Sequence, residues 1–345
     1  MRVGRPQPVT APGSPRSGSP ALRLRGLGTL LAMTKAAPLT PSYVDEHTVL
    51  SKCRYFVLTQ VWPLSERLDP RGWLQNFTPQ EQIYALQLLN SLLYFRAPLV
   101  DQMFIANFRC LSRLLYSRSD SMTALQVKWQ RFVDNVIVTH VTGESPNPTD
   151  SGHVYARRAR DLLDIPQDRI KSPSDTIVEL LRRGASPVLF VDDFVGSGNQ
   201  FRDTWIRDYE IGTGLRMSFR ELATRGFGPF FYIPIVCTQK GSLVISTQCK
   251  PVILQPAHLL DDRYSALHAD SVLWPDHLRP GAPKFILDAS TRAGIPNDAF
   301  STDHYAGFHS LGLTVAFDEG CPDATLPLLR WSATNWVPLI RRAPQ

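Results

Sequence analysis

The chain has 345 residues, 43 % of them hydrophobic, enough for one large domain or two smaller ones with real cores. A net charge of +6 and a pI near 9.1 fit an anionic partner, but acidic residues are interspersed with the basic ones, so nucleic acid is not indicated. Cys53, Cys110, Cys237, Cys249 and Cys321 form no CxxC pair and leave an odd count, which argues against a disulfide framework and for a cytoplasmic, reducing setting.

Residues 1–40 are rich in Pro, Gly, Ser and Arg without apolar periodicity and are expected to be a disordered extension, with Met33 as an alternative start that intact mass would reveal. "ALRLRGLGTLLAM" resembles a signal peptide, but its apolar part is too short, and no run approaches the roughly 18 apolar residues of a transmembrane helix. No membrane association is expected.

Residues 41–130 read as a helical module. In "TPQEQIYALQLLNSLLYF", Thr78 is the expected N-cap, Pro79 the first helical position and Glu81 the partner of a capping box, with Ile83, Leu86, Leu89 and Leu93 on one face. "PLVDQMFIANFRCLSRLLYS" predicts a second helix. Ahead of both, Trp62 and Trp73 in "QVWPLSERLDPRGWLQNF" point to internal packing more than to a partner surface.

From residue 131 to 341 the pattern alternates between strand and helix, which predicts an α/β domain built on a parallel sheet. "VDNVIVTHV" reads as the first strand, "TGESPNPTDSG" as a loop and "HVYARRARDLL" as a helix. "SPSDTIVELLRRG" has Ser172 as N-cap, Pro173 at its first position and Gly184 as its stop, and feeds the strand "PVLFVDD". "FRDTWIRDYE" reads as a helix, and "FFYIPIVCT" and "PVILQ" as strands. Beyond residue 255 only "LGLTVAF" reads as a strand, and the rest as a tail packed on the sheet.

The chemistry concentrates in "VLFVDDFVGSGNQF", residues 188–201, where an apolar strand runs into two acids and a Gly-Ser-Gly loop. A Walker B acid would need GxxxxGK[ST], which is missing. A receiver-type phosphoacceptor would place its acids near the start of a domain and use a lysine on a later strand. Gly196 and Gly198 let main-chain amides converge on an anion at a helix start, which a plain turn would not need.

This stretch resembles the signature of the type I phosphoribosyltransferases, a strand ending in two acids followed by a Thr/Ser-Gly loop. The resemblance implies that Asp192 and Asp193 hold the ribose 2′ and 3′ hydroxyls. It also implies that Phe194, Val195, Gly196, Ser197, Gly198, Asn199 and Gln200 form the 5′-phosphate loop. Asn199 and Gln200 depart from the glycine or threonine and the threonine that the enzymes carry there. The lysine- or arginine-bearing flap over pyrophosphate has only residues 165–174, with Arg169 and Lys171, as a candidate. With "VTGESPNPTDSGHVYARRAR", "FYIPIV" and "PDATLPLLRWSATNWVPLIRR", the wider chain is similar to phosphoribosyltransferase-like domains predicted as effectors in bacterial conflict (anti-phage) systems, which implies a defence role.

In the same frame, Gly143, Glu144, Asp150, Ser151 and Gly152 would supply pyrophosphate donors and carboxylates for Mg²⁺, and a solvated connector fits that loop equally well. Arg157, Arg158 and Arg160 fit a solvated helix face better than an anion site. Asp303, His304 and His309 match no standard metal spacing, so no protein-bound metal is expected. The implied ligand is phosphoribosyl pyrophosphate (PRPP) or a nucleotide, reacting at the anomeric carbon by transfer or hydrolysis. The alternatives are a non-catalytic sensor signalling to a protein partner through the helical module, and an interaction scaffold.

Overall fold

The computed structural model of the protein describes residues 44–63, 66–142, 151–298 and 301–341. The expectation of disorder over residues 1–40 lies outside them. In chain order the elements are α1 (Glu46–Leu58), α2 (Pro70–Leu74), α3 (Gln82–Asn90), β1 (Leu93–Phe95), α4 (Ala97–Cys110), α5 (Met122–Asn135) and β2 (Ile137–His140). There follow α6 (Ser151–Leu163), α7 (Pro173–Arg183), β3 (Val188–Val195), α8 (Asn199–Ile206), β4 (Tyr209–Gly212), β5 (Leu215–Met217) and α9 (Phe219–Thr224). The chain ends with β6 (Phe230–Thr238), α10 (Gln239–Gln248), β7 (Ile253–Leu254), β8 (His258–Leu260), α11 (Ala282–Ala293) and β9 (Val315–Phe317).

The central sheet has the order β2-β3-β6, with β7 and β8 both on the far edge of β6, and every pairing in it is parallel. The expected α/β class and parallel sheet are therefore present. Side chains of Val188–Val191 and Phe230–Ile233 alternate between its faces, as strand geometry requires. Leu189, Val191, Phe231 and Ile233 pack with α4, α5 and α6, whereas Val188, Phe190, Phe230 and Tyr232 pack with α7, α8, α9 and α10. Burial on both faces explains the near-continuous apolar runs of β3 and β6.

β7 and β8 are one interrupted strand: Ile253 pairs with Phe231 and His258 with Val236, the same offset in register. The break falls opposite Pro234, which has no N–H for a ladder bond. Asn107 of α4 fills the gap, its Nδ2 donating to the carbonyls of Pro234 (3.1 Å) and Gln255 (2.8 Å).

Several expectations from the sequence shift. The first strand does not begin at Val133: residues 133–135 finish α5, and β2 is confined to Ile137–His140. Thr78 does not cap with its side chain; α3 begins at Gln82, and only half of the capping box forms, with the Thr78 amide donating to Glu81 Oε2 at 2.9 Å. Ser172 does cap α7, accepting from the Asp175 amide, and Gly184 closes it at φ +89°.

Residues 41–130 do not enclose a core of their own. Trp73, Leu86 and Leu89 share one apolar core with Trp274, Phe285, Leu328 and Trp336 from the C-terminal stretch, while α4 and α5 cover the central sheet. From Val44 onward the chain is one unit. β1 and β9 pair in parallel between two cores, with Tyr94 and Ala316 facing the N- and C-terminal one, and Val315 and Phe317 facing the sheet. The residues after 255 therefore do more than pack on the sheet: they complete the core of the N-terminal helices.

Candidate functional site

β3 carries Asp192 and Asp193 before its last two residues rather than at its tip, since Phe194 and Val195 still pair with Val236 and Cys237. β2 stops at His140, opposite Val191, so β3 extends past its neighbour here. The Asp193 amide then donates to Asp192 Oδ1 at 3.0 Å, and the Phe194 amide to Asp193 Oδ1 at 2.8 Å.

The two acids have different surroundings. Asp192 is 3 % exposed and accepts the Tyr232 hydroxyl on Oδ2 at 3.0 Å. Burial, followed by the neighbouring Asp193 charge, pushes its carboxyl well above the usual carboxylate range. A side-chain hydrogen bond between the acids pushes the same way, which favours the protonated form of Asp192 beside Asp193. Asp193 lines a cleft of about 670 Å³, and Asp192 does not. The symmetric diol clamp implied by the sequence is thus replaced by one facing acid with a buried partner behind it.

Val195 leads into Gly196, Ser197 and Gly198, after which α8 begins. Gly198 is at φ +81°, and a Cβ there would stand 2.8 Å from the Gly241 carbonyl oxygen at the start of α10. Only glycine satisfies both demands. The loop is pinned from the same side, because Thr238 Oγ1 donates to the Gly196 carbonyl at 2.6 Å while accepting from the Gly241 amide at 3.0 Å. The first backbone bond of α8 runs from Arg202 N to Gly198 O and the Asn199 amide donates to Ser197 Oγ at 3.3 Å, so the Gln200 and Phe201 amides are the donors that the helix start leaves for an anion. Phe194 through Gln200 all line the cleft, so the structure brings the implied phosphate loop together.

The implied pyrophosphate loop is only partly described. Gly143, Glu144 and Asp150 lie outside the described residues, as does the side chain of Ser151. Gly152 sits in the first turn of α6, where a Cβ would meet the Val141 carbonyl oxygen at 2.6 Å. Thr142 is tied to α8 and its exit: the Thr204 hydroxyl donates to the Thr142 carbonyl at 3.1 Å, and Arg207 Nη1 donates to Thr142 Oγ1 at 2.7 Å.

The far wall comes from a part of the chain that sequence reasoning missed. Thr302, Phe308, His309, Leu311 and Glu319–Ala324 face the loop across the cleft. His309 stands at φ +56° with Nε2 3.5 Å from Asn199 Nδ2, and Ser310 follows at φ +57°. Asp318, at the exit of β9, holds this wall by accepting from Arg96 Nε (2.9 Å) and the Ala97 amide (2.8 Å). Gly307 and Gly312 of "YAGFHSLGL" are the sequence signal of this bend. Tyr155, 1 % exposed, also lines the cleft; burial and the Asp193 charge raise its pKa, so it is a neutral phenol.

Basic groups behave as structural partners. Arg158 binds Asp101 (2.9 Å) and Glu319 (2.6 Å), and Arg160 binds Asp161 (2.7 Å). Residues 165–174 do not form a flap: Ile170 bridges Val138 at the edge of β2, and the Lys171 amide donates to the Val138 carbonyl at 2.9 Å. His304 is buried away from any ligand set, and among the described residues no cluster of three His, Cys, Asp or Glu side chains can hold a metal. A Mg²⁺ ion here fits only as one that keeps its waters and ligand phosphates and takes few protein carboxylates, which is its usual mode. Among the described residues no helix is long and apolar enough to cross a membrane.

A family model described as PRTase-CE matches residues 70–342. No curated protein matches the chain. Among solved structures, the orotate phosphoribosyltransferase from Aeropyrum pernix is similar at 14 % identity over 39 % of this chain and 65 % of that one, with a TM-score of 0.18. The chain therefore spans less than two thirds of that enzyme's length.

Proposed function

Because the chain belongs to the PRTase-CE family, we propose that its cleft binds a ribose 5-phosphate ligand, PRPP or a nucleotide, and acts at the anomeric carbon. The observation that carries this reading is the turn from β3 to α8, where a carboxylate and a glycine-built helix start face one cleft. The amides around Gly196–Gln200 would anchor the 5′-phosphate dianion. Asp193 would accept from the ribose hydroxyls, and the proton on Asp192 would keep a second negative charge from developing behind it.

Breaking the anomeric bond develops oxocarbenium charge on the sugar, so the single negative charge of the acid pair would favour the transition state. Tyr155, held neutral, would donate to a ligand oxygen beside Asp193. Mg²⁺, bound through the ligand and the acids Glu144 and Asp150, would neutralise charge on a departing pyrophosphate. A cytoplasmic role as an effector of bacterial conflict systems goes with this reading, supported by the sequence resemblance and by five cysteines of which none forms a disulfide. Loss of protection against phage in the Asp193→Asn variant would check it.

The direct test is calorimetric titration of PRPP with Mg²⁺ into the full chain, followed by assay for released pyrophosphate. Binding and release should both be lost in Asp193→Asn. Equal behaviour of the variant and the native chain would overturn the assignment.

A second reading, a sensor that binds without turnover, is favoured by one observation: residues 165–174 are pinned to the sheet edge, so no described segment is placed to cover a pyrophosphate. Binding without release would select it. A protein partner would then meet the N-terminal helices, where Tyr55 and Leu58 of α1 are exposed.

A further inference from the structure

The charges around the cleft are unbalanced. Asp193, Glu319 and Asp323 line it, and among the described residues no arginine or lysine does. Arg158 stands outside that lining, engaged by Asp101 and Glu319. The start of α8 offers an anion only a partial positive charge, about half an elementary charge. A phosphate dianion placed there would face carboxylates without a full cation to offset them. Of the described side chains that line the cleft, His309 is the one that can become a cation near neutral pH.

The backbone holds that ring against local preference. His309 (φ +56°, ψ +22°) and Ser310 (φ +57°) are both left-handed, which costs a residue other than glycine about 1 kcal/mol or more. The bend is fixed from both ends. The Phe308 amide donates to the Asp323 carbonyl at 2.7 Å, the Gly312 amide to the Ala306 carbonyl at 2.8 Å, and the Gly312 carbonyl accepts from the Ala266 amide at 2.8 Å. Glycine or asparagine would hold it with less strain. What histidine adds is a ring whose Nε2 lies 3.5 Å from Nδ2 of Asn199, the first residue of α8. Rotation of the Asn199 amide accommodates either protonation state of that ring.

Given the ribose 5-phosphate reading of the cleft, on which this rests, we infer that His309 is the cationic ligand of the 5′-phosphate. As an imidazolium it donates to a phosphate oxygen held by the Gln200 and Phe201 amides, and ligand affinity thereby depends on pH. An ordinary imidazole titrates near pH 6.5 and the second proton of a phosphate monoester near pH 6, so imidazolium and dianion coexist just below neutrality. Asp193, Glu319 and Asp323 in the cleft favour the imidazolium, as do Asp261 and Asp262 in the small cavity that His309 also lines; Lys240 and His268 in that cavity oppose it when charged. The cleft's other titratable side chains, Tyr155 and Cys321, are uncharged in their protonated forms. As pH rises the ring loses its proton and the charge-assisted bond goes with it, so affinity falls.

The test is calorimetric titration of ribose 5-phosphate into the full chain at about pH 6 and about pH 8.5, for the native protein, His309→Asn and His309→Arg. Asparagine suits the left-handed turn and carries no charge, whereas arginine stays charged throughout. The native chain should bind about tenfold more tightly than His309→Asn at the lower pH and equally at the higher one. His309→Arg should keep the advantage at both. Asp192 titrates in all three proteins, so its effect cancels in these ratios. A ratio of native to His309→Asn affinity that is the same at both pH values overturns the inference while leaving the ribose 5-phosphate reading intact. No binding by the native chain at millimolar ligand overturns that reading and this inference with it. If His309→Arg does not fold, the ratio to His309→Asn carries the test alone.

Discussion

At the scale of residues, two adjacent aspartates play unlike parts because one strand turns them toward unlike neighbours. Asp192 meets Tyr232, forty positions later in the chain, and is buried; Asp193 meets the cleft. The folded state therefore keeps a proton on Asp192 at pH values where the unfolded chain has lost it. By linkage, stability falls as pH rises from the ordinary value of 3.8 through the raised folded one. Asp192→Asn cannot ionise and can still accept the Tyr232 hydroxyl. Its stability should therefore gain on that of the native protein by about 1.4 kcal/mol for each pH unit across this window, read as a growing difference in melting temperature. A constant difference across pH would refute the buried-acid assignment. Gly198→Ala meets the Gly241 carbonyl at a left-handed φ and should cost about 1–3 kcal/mol in denaturant unfolding, with weaker ligand binding. The acids and glycines were legible from the sequence because the chemistry sits in consecutive residues. The burial of Asp192 was not, because Tyr232 arrives from a different strand.

At the scale of elements, helix boundaries followed local signals where the cap was local. Ser172, Pro173 and Gly184 delimit α7 as their chemistry dictates. Thr78 failed as a cap because Glu81, tied also to Arg292 at 2.6 Å, draws the start of α3 to Gln82. The interrupted edge strand is a non-local device: Pro234 removes a ladder donor from β6, and Asn107 of α4 restores the lost pairing. Asn107→Ala should leave the Gln255 carbonyl without a donor, while the Ala257 amide still donates to the Pro234 carbonyl at 3.1 Å, and cost about 1–2 kcal/mol in urea unfolding. An unchanged midpoint would mean that water takes the place of the amide. The left-handed pair His309–Ser310 likewise holds the far wall of the cleft in a conformation that local propensity opposes.

At the scale of the whole molecule, the N-terminal helices and the C-terminal stretch depend on each other. Trp73 donates to the Leu328 carbonyl at 2.9 Å and Asn76 to that of Val337 at 2.8 Å, and β1 pairs with β9. A fragment of residues 41–130 should therefore lack cooperative unfolding, and a fragment of residues 131–341 should expose the apolar surface that the helices cover. Circular dichroism melts and dye binding on the two pieces, then on their mixture, check this; a cooperative melt in the first piece would refute it. By itself the sequence determined the alternating α/β pattern, the parallel sheet and the glycine-rich turn from β3 to α8, because each is written in the periodicity or chemistry of adjacent residues. Only the tertiary structure decided which acid faces the cleft, what forms its far wall and that the described N-terminal helices share their core with the C-terminal stretch. Those outcomes depend on contacts between residues tens to hundreds of positions apart, such as Asp192 with Tyr232 and Trp73 with Leu328, which no local pattern records.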